Sequence, residues 1–147
     1  IEEGKKLAAI HKNIVVKVPM IKDGVKAMKW FTDHGIRTNC TLVFSAGQAI
    51  LCAKAGAAYV SPFIGRIDDS GWDGVLLVEQ IVKIYKAQGF KTQILAASIR
   101  NPNHIIRCAE AGAHVCTSPL ESILGLLKHP LTDIGLAKFL EDAKKTA

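Results

Sequence analysis

Four times along this chain a helical run ends at a glycine that leads directly into a short apolar run, and this recurrence restricts the possible folds more than any other feature. AKAGAAYVSP (Ala53 to Pro62) resembles AEAGAHVCTSP (Ala109 to Pro119), and HGIRT (His34 to Thr38) resembles QGFKT (Gln88 to Thr92). Each is a helix end, a left-handed glycine cap and the start of a strand. Strand-helix units in series require parallel strands covered by helices. The period-2 and period-3.6 patterns place strands at 14–18, 37–44, 57–63, 92–98 and 114–117, which makes five βα units.

The helices fall at 1–11, 22–33, 46–55, 75–88 and from the Asn101-Pro102 start to Gly112, with a last one over residues 132–147. Ser45 with Gln48 and Ser118 with Glu121 read as capping boxes, and Thr132 reads as the cap of the last helix. Residues 65–73 read as a long polar loop, and Trp30 and Trp72 as packing residues. The 147 residues, 49% of them hydrophobic and 22% charged, suffice for one domain with a real core, spanning 1–147.

A doubly wound sheet and a (β/α)8 barrel share this grammar, but strand polarity separates them. An open sheet covered on both faces has apolar strands throughout, whereas a barrel admits polar groups inside near the strand C-termini. Here one parity collects Lys17, Asn39, Thr41, Tyr59, Ser61, Phe63, Ser98, Arg100 and Thr117. The other collects Val16, Val18, Cys40, Leu42, Val60, Leu95 and Ala97. The expectation is α/β, a (β/α)8 TIM barrel of which this chain supplies the last five βα units and a C-terminal helix. Eight strands close such a barrel, so about three units belong to residues outside this sequence.

The net charge of +6 is spread along the helices in runs no longer than two, without a basic stripe interleaved with aromatics, so nucleic-acid binding is not expected. No apolar run reaches the ~20 residues of a membrane span, and the default is a soluble cytoplasmic protein. Cys40, Cys52, Cys108 and Cys116 read as reduced, buried thiols. His104 with Cys108 and His114 with Cys116 lack further ligands at suitable spacing, so no metal is expected. The absence of G-x-G-x-x-G and P-loop motifs disfavours nucleotide cofactors.

Lys17 is the residue that asks for chemistry. In NIVVKVP it interrupts an apolar strand just before a proline. It is either a lysine snorkelling at a strand end or an amine desolvated enough to be uncharged near neutral pH, able to attack a carbonyl and form an imine. Arg66 and Arg100, each unremarkable alone, together fit a phosphorylated sugar, and the Asn101-Pro102 helix start adds N–H groups for an anion.

VVKVP, then NCTLVFS beginning 22 residues after the lysine, then SPFIGRID and AASIRNP resemble the transaldolase family, in particular the short subfamily that includes the fructose 6-phosphate aldolases. The resemblance covers essentially the whole chain. It implies a barrel in which Lys17 is the Schiff-base lysine, Asn39 and Thr41 contact the dihydroxyacetone moiety and position water, and Ser61 lies near substrate hydroxyls. Arg66 and Arg100 match phosphate-binding positions, with Ser98 beside them. Phe63 and Asn39 match transaldolases, since the aldolases carry tyrosine and an apolar residue there. The family's first-strand aspartate, second-strand asparagine and third-strand glutamate have no counterpart here. The resemblance further implies phosphorylated sugar substrates, no cofactor, and a homo-oligomer in which the last helix packs onto a neighbouring subunit.

Overall fold

A computed structural model describes all 147 residues. Helices and strands alternate: α1 (Glu2–Ala8), β1 (Val16–Pro19), α2 (Lys22–Asp33), β2 (Thr38–Val43), α3 (Ala46–Lys54), β3 (Tyr59–Pro62), α4 (Ile64–Asp69) and α5 (Gly74–Gln88). After them come β4 (Gln93–Ala96), α6 (Pro102–Ala111), β5 (Val115–Cys116), α7 (Leu120–Gly125) and α8 (Pro130–Thr146). The five strands form one parallel sheet in chain order, β1-β2-β3-β4-β5, with β1 and β5 at its free edges. The order never reverses, which rules out a doubly wound sheet for these residues. The ring expected from the sequence is not closed by these five strands.

The helices supply one core against one face of the sheet. Val16, Val18, Cys40, Val43, Val60, Ile94 and Ala96 meet Met28 and Phe31 of α2, Ala49 and Cys52 of α3, Val78 and Ile81 of α5 and Cys108 of α6. Burying each of the Val, Ile, Met and Phe side chains among them contributes roughly 1.5–3 kcal/mol. Two buried hydroxyls tie the layers: Tyr85 donates to the Ala49 carbonyl at 2.6 Å, and Thr92 to that of Ala57 at 2.7 Å. The opposite face has no helix over it. Lys17 and Gln93 are exposed there, and Asn39, Thr41, Tyr59 and Leu95 half-buried.

Two local expectations about facing are corrected. Leu42 takes φ 59° where the β2–β3 register shifts, so the alternation slips: Leu42 is exposed and Val43 wholly buried. A bulge of this kind re-aims the residues that follow it. In β4, Tyr59 pairs with Gln93 and Val60 with Ile94, which puts Leu95 on the open face and Ala96 under the helices. The all-apolar run around Leu95 left that parity open to misassignment.

Other corrections concern helix ends. Residues 64–69 form α4 rather than loop, because its first amides are held by the turn that follows β4: Ile64 N–H donates to the Ala97 carbonyl at 2.9 Å and Gly65 N–H to that of Ser98 at 2.8 Å. α8 starts at Pro130, capped by the His129 ring, whose Nδ1 accepts from Leu131 N–H, so Thr132 lies inside it. Ser118 makes no cap bond to α7. Trp72 is 77% exposed and does not pack. Cys116 is exposed; the other three cysteines are buried and free. No residue of α8 is buried, and no helix of the chain is long and apolar enough to cross a membrane.

Candidate active site

Parallel pairing sets the polar face. Lys17 registers with Asn39 and Asn39 with Tyr59, so their side chains share one rung and one side of the sheet. Thr41, registered with Pro19, stands one rung nearer the strand C-termini. Ser61 is buried and its hydroxyl donates to Asn39 Oδ1 at 2.7 Å. The Thr41 hydroxyl is shielded yet bonded to no protein group. An orphaned polar atom of this kind costs about 1–3 kcal/mol, which a bound polar group offsets. Thr38 carries a second such hydroxyl, on the helix side of the same strand.

The rim beyond β3 and β4 carries the arginines. The Arg66 guanidinium lies 5.0 Å from the centre of the Phe63 ring, which in turn packs against Phe44 at 5.5 Å. Cation–π contact of this kind contributes about 0.5–1 kcal/mol at exposed sites and holds the charge in one orientation. Ser98 adopts φ 56°, a left-handed backbone unusual for serine, and aims its carbonyl at the Gly65 amide. Gly65 is glycine for want of room: a Cβ there would sit 2.2 Å from the Ser98 oxygen and 2.6 Å from Arg100 Nε. Arg100 therefore lies across the residue preceding Arg66. Its two terminal nitrogens grip Asp69, NH1 to Oδ1 at 3.3 Å and NH2 to Oδ2 at 2.8 Å.

The residues expected from the sequence thus gather in two groups. Lys17, Asn39, Thr41 and Ser61 share the open face; Phe63, Arg66, Ser98 and Arg100 share the rim. No single cavity unites them. Lys17 borders a groove of about 270 Å³ along the β1 edge, with Glu3, Leu7 and Phe31, whereas Arg66 borders one of about 790 Å³ with Phe44, Trp72 and Leu76. Within these 147 residues β1 is an edge strand with nothing over its polar face, and Lys17 is exposed.

The aspartates and histidines do more than the sequence suggested. Asp69 holds Arg100, Asp68 holds His104 at 2.6 Å, and Asp73 caps α5 through Val75 N–H at 3.0 Å while accepting from Arg107 at 2.6 Å. The hydrogen bond from Arg107 keeps the Asp73 carboxyl below its ordinary 3.8. His114 Nδ1 accepts the Ile94 N–H at 3.0 Å. No three His, Cys, Asp or Glu side chains come together in a way that could hold a metal ion. Two of the thiols are poor nucleophiles: a hydrogen bond with Cys40 and then burial raise Cys52, and burial pushes Cys108 up to about 11. The one sequence signal that could have found this network is the glycine between Ile64 and Arg66 in SPFIGRID, where a side chain has no room.

Fold and site together define a parallel α/β protein with a lysine-bearing polar sheet face and an arginine-bearing rim. The family model described as Transaldolase/Fructose-6-phosphate aldolase matches residues 1–147. Curated relatives named "Probable transaldolase" are 67% identical in Phocaeicola vulgatus, 66% in Bacteroides thetaiotaomicron and 61% in Flavobacterium psychrophilum. Each match runs over 145 residues, 99% of this chain and 66% of the relative. The chain belongs to the transaldolase/fructose-6-phosphate aldolase family. It spans about two thirds of the length of those relatives.

Proposed function

We propose that this chain is the lysine-bearing part of a transaldolase. The observation that carries the reading is the shared rung of Lys17 and Asn39, with Ser61 bonded to Asn39 and the unpartnered Thr41 hydroxyl one rung above. The Lys17 amine adds to the C2 carbonyl of a ketose phosphate and loses water to give an iminium ion. The C3–C4 bond then breaks, its electron pair entering the iminium to form an enamine, and glyceraldehyde 3-phosphate departs. The enamine adds to the aldehyde of erythrose 4-phosphate, and water releases sedoheptulose 7-phosphate and the free amine. Asn39, Thr41 and Ser61 hold the dihydroxyacetone oxygens and the water; Arg66 and Arg100, beside Ser98, hold the phosphate. This chemistry requires no metal or organic cofactor.

We read the five strands as a contiguous arc of a (β/α)8 barrel, because their order never reverses and helices cover one face only. On this reading the polar face becomes the barrel interior and Lys17 loses its exposure once the remaining strands are in place. Those strands, with the acid/base carboxylates, belong to the third of the relatives' length that this chain does not span. The uncovered apolar residues Leu131, Ile134, Leu136, Phe139 and Leu140 of α8 support a contact with a second copy in a homo-oligomer. A cytoplasmic enzyme of sugar phosphate metabolism fits these properties.

The runner-up is a fructose 6-phosphate aldolase, and Phe63, where the aldolases carry a proton-donating tyrosine, weighs against it. The test is acceptor dependence in the full-length protein carrying this chain. Release of more than one equivalent of glyceraldehyde 3-phosphate per active site from fructose 6-phosphate is expected only when erythrose 4-phosphate is present. Equal release without the acceptor, with free dihydroxyacetone accumulating, would assign the aldolase.

A further inference from the structure

We propose that His104 is a positioning residue for the anion site: it fixes the backbone of Arg100 against α4 and so sets where the guanidinium meets a substrate phosphate. The inference rests on the reading of Arg66 and Arg100 as phosphate ligands and goes beyond it, to a residue remote from the sugar.

His104 stands in the first turn of α6 and is 5% exposed. An imidazole so buried is costly unless both nitrogens are bonded. Both are. Nδ1 accepts the N–H of Arg100 at 3.1 Å, which leaves the ring proton on Nε2, and Nε2 donates to Asp68 Oδ2 at 2.6 Å. Asp68 Oδ1 accepts the Gly74 N–H at 2.8 Å, so the carboxylate is committed on both sides. The neighbouring Asp69 takes the Arg100 guanidinium. Arg100 is thereby held at both ends by α4, its backbone through His104 and Asp68 and its side chain through Asp69. The close approach at Gly65 presses its stem against the residue before Arg66.

A histidine that only fills space would be replaceable in any way that keeps the volume. A histidine that positions Arg100 must keep the acceptor at Nδ1. His104→Asn places an amide oxygen near Nδ1 and keeps the bond to Arg100, while His104→Gln reaches toward Asp68 and loses it. In the full-length protein, His104→Gln is expected to raise KM for fructose 6-phosphate by roughly tenfold, the worth of one hydrogen bond. kcat should change little, and His104→Asn should stay within about threefold of the parent. Neither variant should alter KM for unphosphorylated fructose. A rise that is equal in both variants, or equal for the two sugars, would overturn the proposal.

Independently of whether either variant folds, nitrogen NMR of the unmodified protein should show the Nε2–H tautomer of His104. Its Nδ1 resonance should shift on titration with inorganic phosphate and not with dihydroxyacetone; absence of a shift at saturating phosphate would also overturn it. Arg100→Gln separates the two levels. If it leaves KM for fructose 6-phosphate unchanged, the phosphate reading itself falls; if it raises KM while His104→Gln does not, only the role of His104 falls.

Discussion

Replacing Gly65 by alanine tests the packing that brings the two arginines together. The added Cβ would stand 2.2 Å from the Ser98 oxygen and 2.5 Å from Arg100 Cγ, where real Cβ contacts stay beyond 3.0 Å. The oxygen belongs to backbone, so the Ser98 carbonyl must retreat by about 0.8 Å, and the 2.8 Å hydrogen bond it accepts from Gly65 is lost with that movement. Overpacking of this kind costs about 1–3 kcal/mol and the broken bond about 1 kcal/mol more, giving roughly 2–4 kcal/mol in all. Urea unfolding followed by circular dichroism should show the midpoint falling with its slope unchanged. KM for fructose 6-phosphate should rise, because the Ser98 to Arg100 turn has moved. A Gly65→Ala protein within about 0.5 kcal/mol of the parent, with unaltered KM, would refute the reasoning.

Asp73→Asn keeps the α5 cap, since asparagine caps as well as aspartate, and removes only the charge facing Arg107. The folded carboxyl titrates below its ordinary 3.8, so its contribution, under about 1 kcal/mol at this half-exposed position, is present above that pH and disappears as pH falls through the folded value. The stability gap between parent and variant should therefore close in acid, and a gap that widens there would contradict the assignment. Cys40, Cys52 and Cys108 are expected to resist iodoacetamide at pH 8 until the protein is unfolded, as read by peptide mass mapping. Labelling of Cys108 at the rate of a free thiol would count against its burial. Tyr85→Phe, which leaves the Ala49 carbonyl without its donor, should cost about 1 kcal/mol in the same urea assay, and an unchanged midpoint would show the bond contributes nothing.

What could be read from the residues was whatever local chemistry decides. The helix over Lys22 to Asp33, the Ser45 and Asn101 caps and the left-handed glycines at 89 and 112 came out as their sequence signals indicated. Lys17, Asn39, Thr41 and Ser61 were placed on one face by alternation alone, and the register agrees. Several of the misses share a cause: the deciding partner is remote in sequence. α4 has no side-chain cap and is started by the Ala97 and Ser98 carbonyls just after β4. The slip at Leu42 arises from the β2–β3 register, and the facing of Leu95 from its alignment with β3 and β5. The roles of Asp68, Asp69 and His104 depend on contacts spanning more than 30 residues.

The central claim is that Lys17 forms the covalent bond to substrate. The full-length protein is incubated with fructose 6-phosphate, reduced with sodium borohydride, digested and analysed by mass spectrometry. The account predicts a reduced dihydroxyacetone or hexose phosphate adduct on the peptide containing Lys17, absent when Lys17 is replaced by methionine. An adduct on another lysine, or none from active protein, would contradict it.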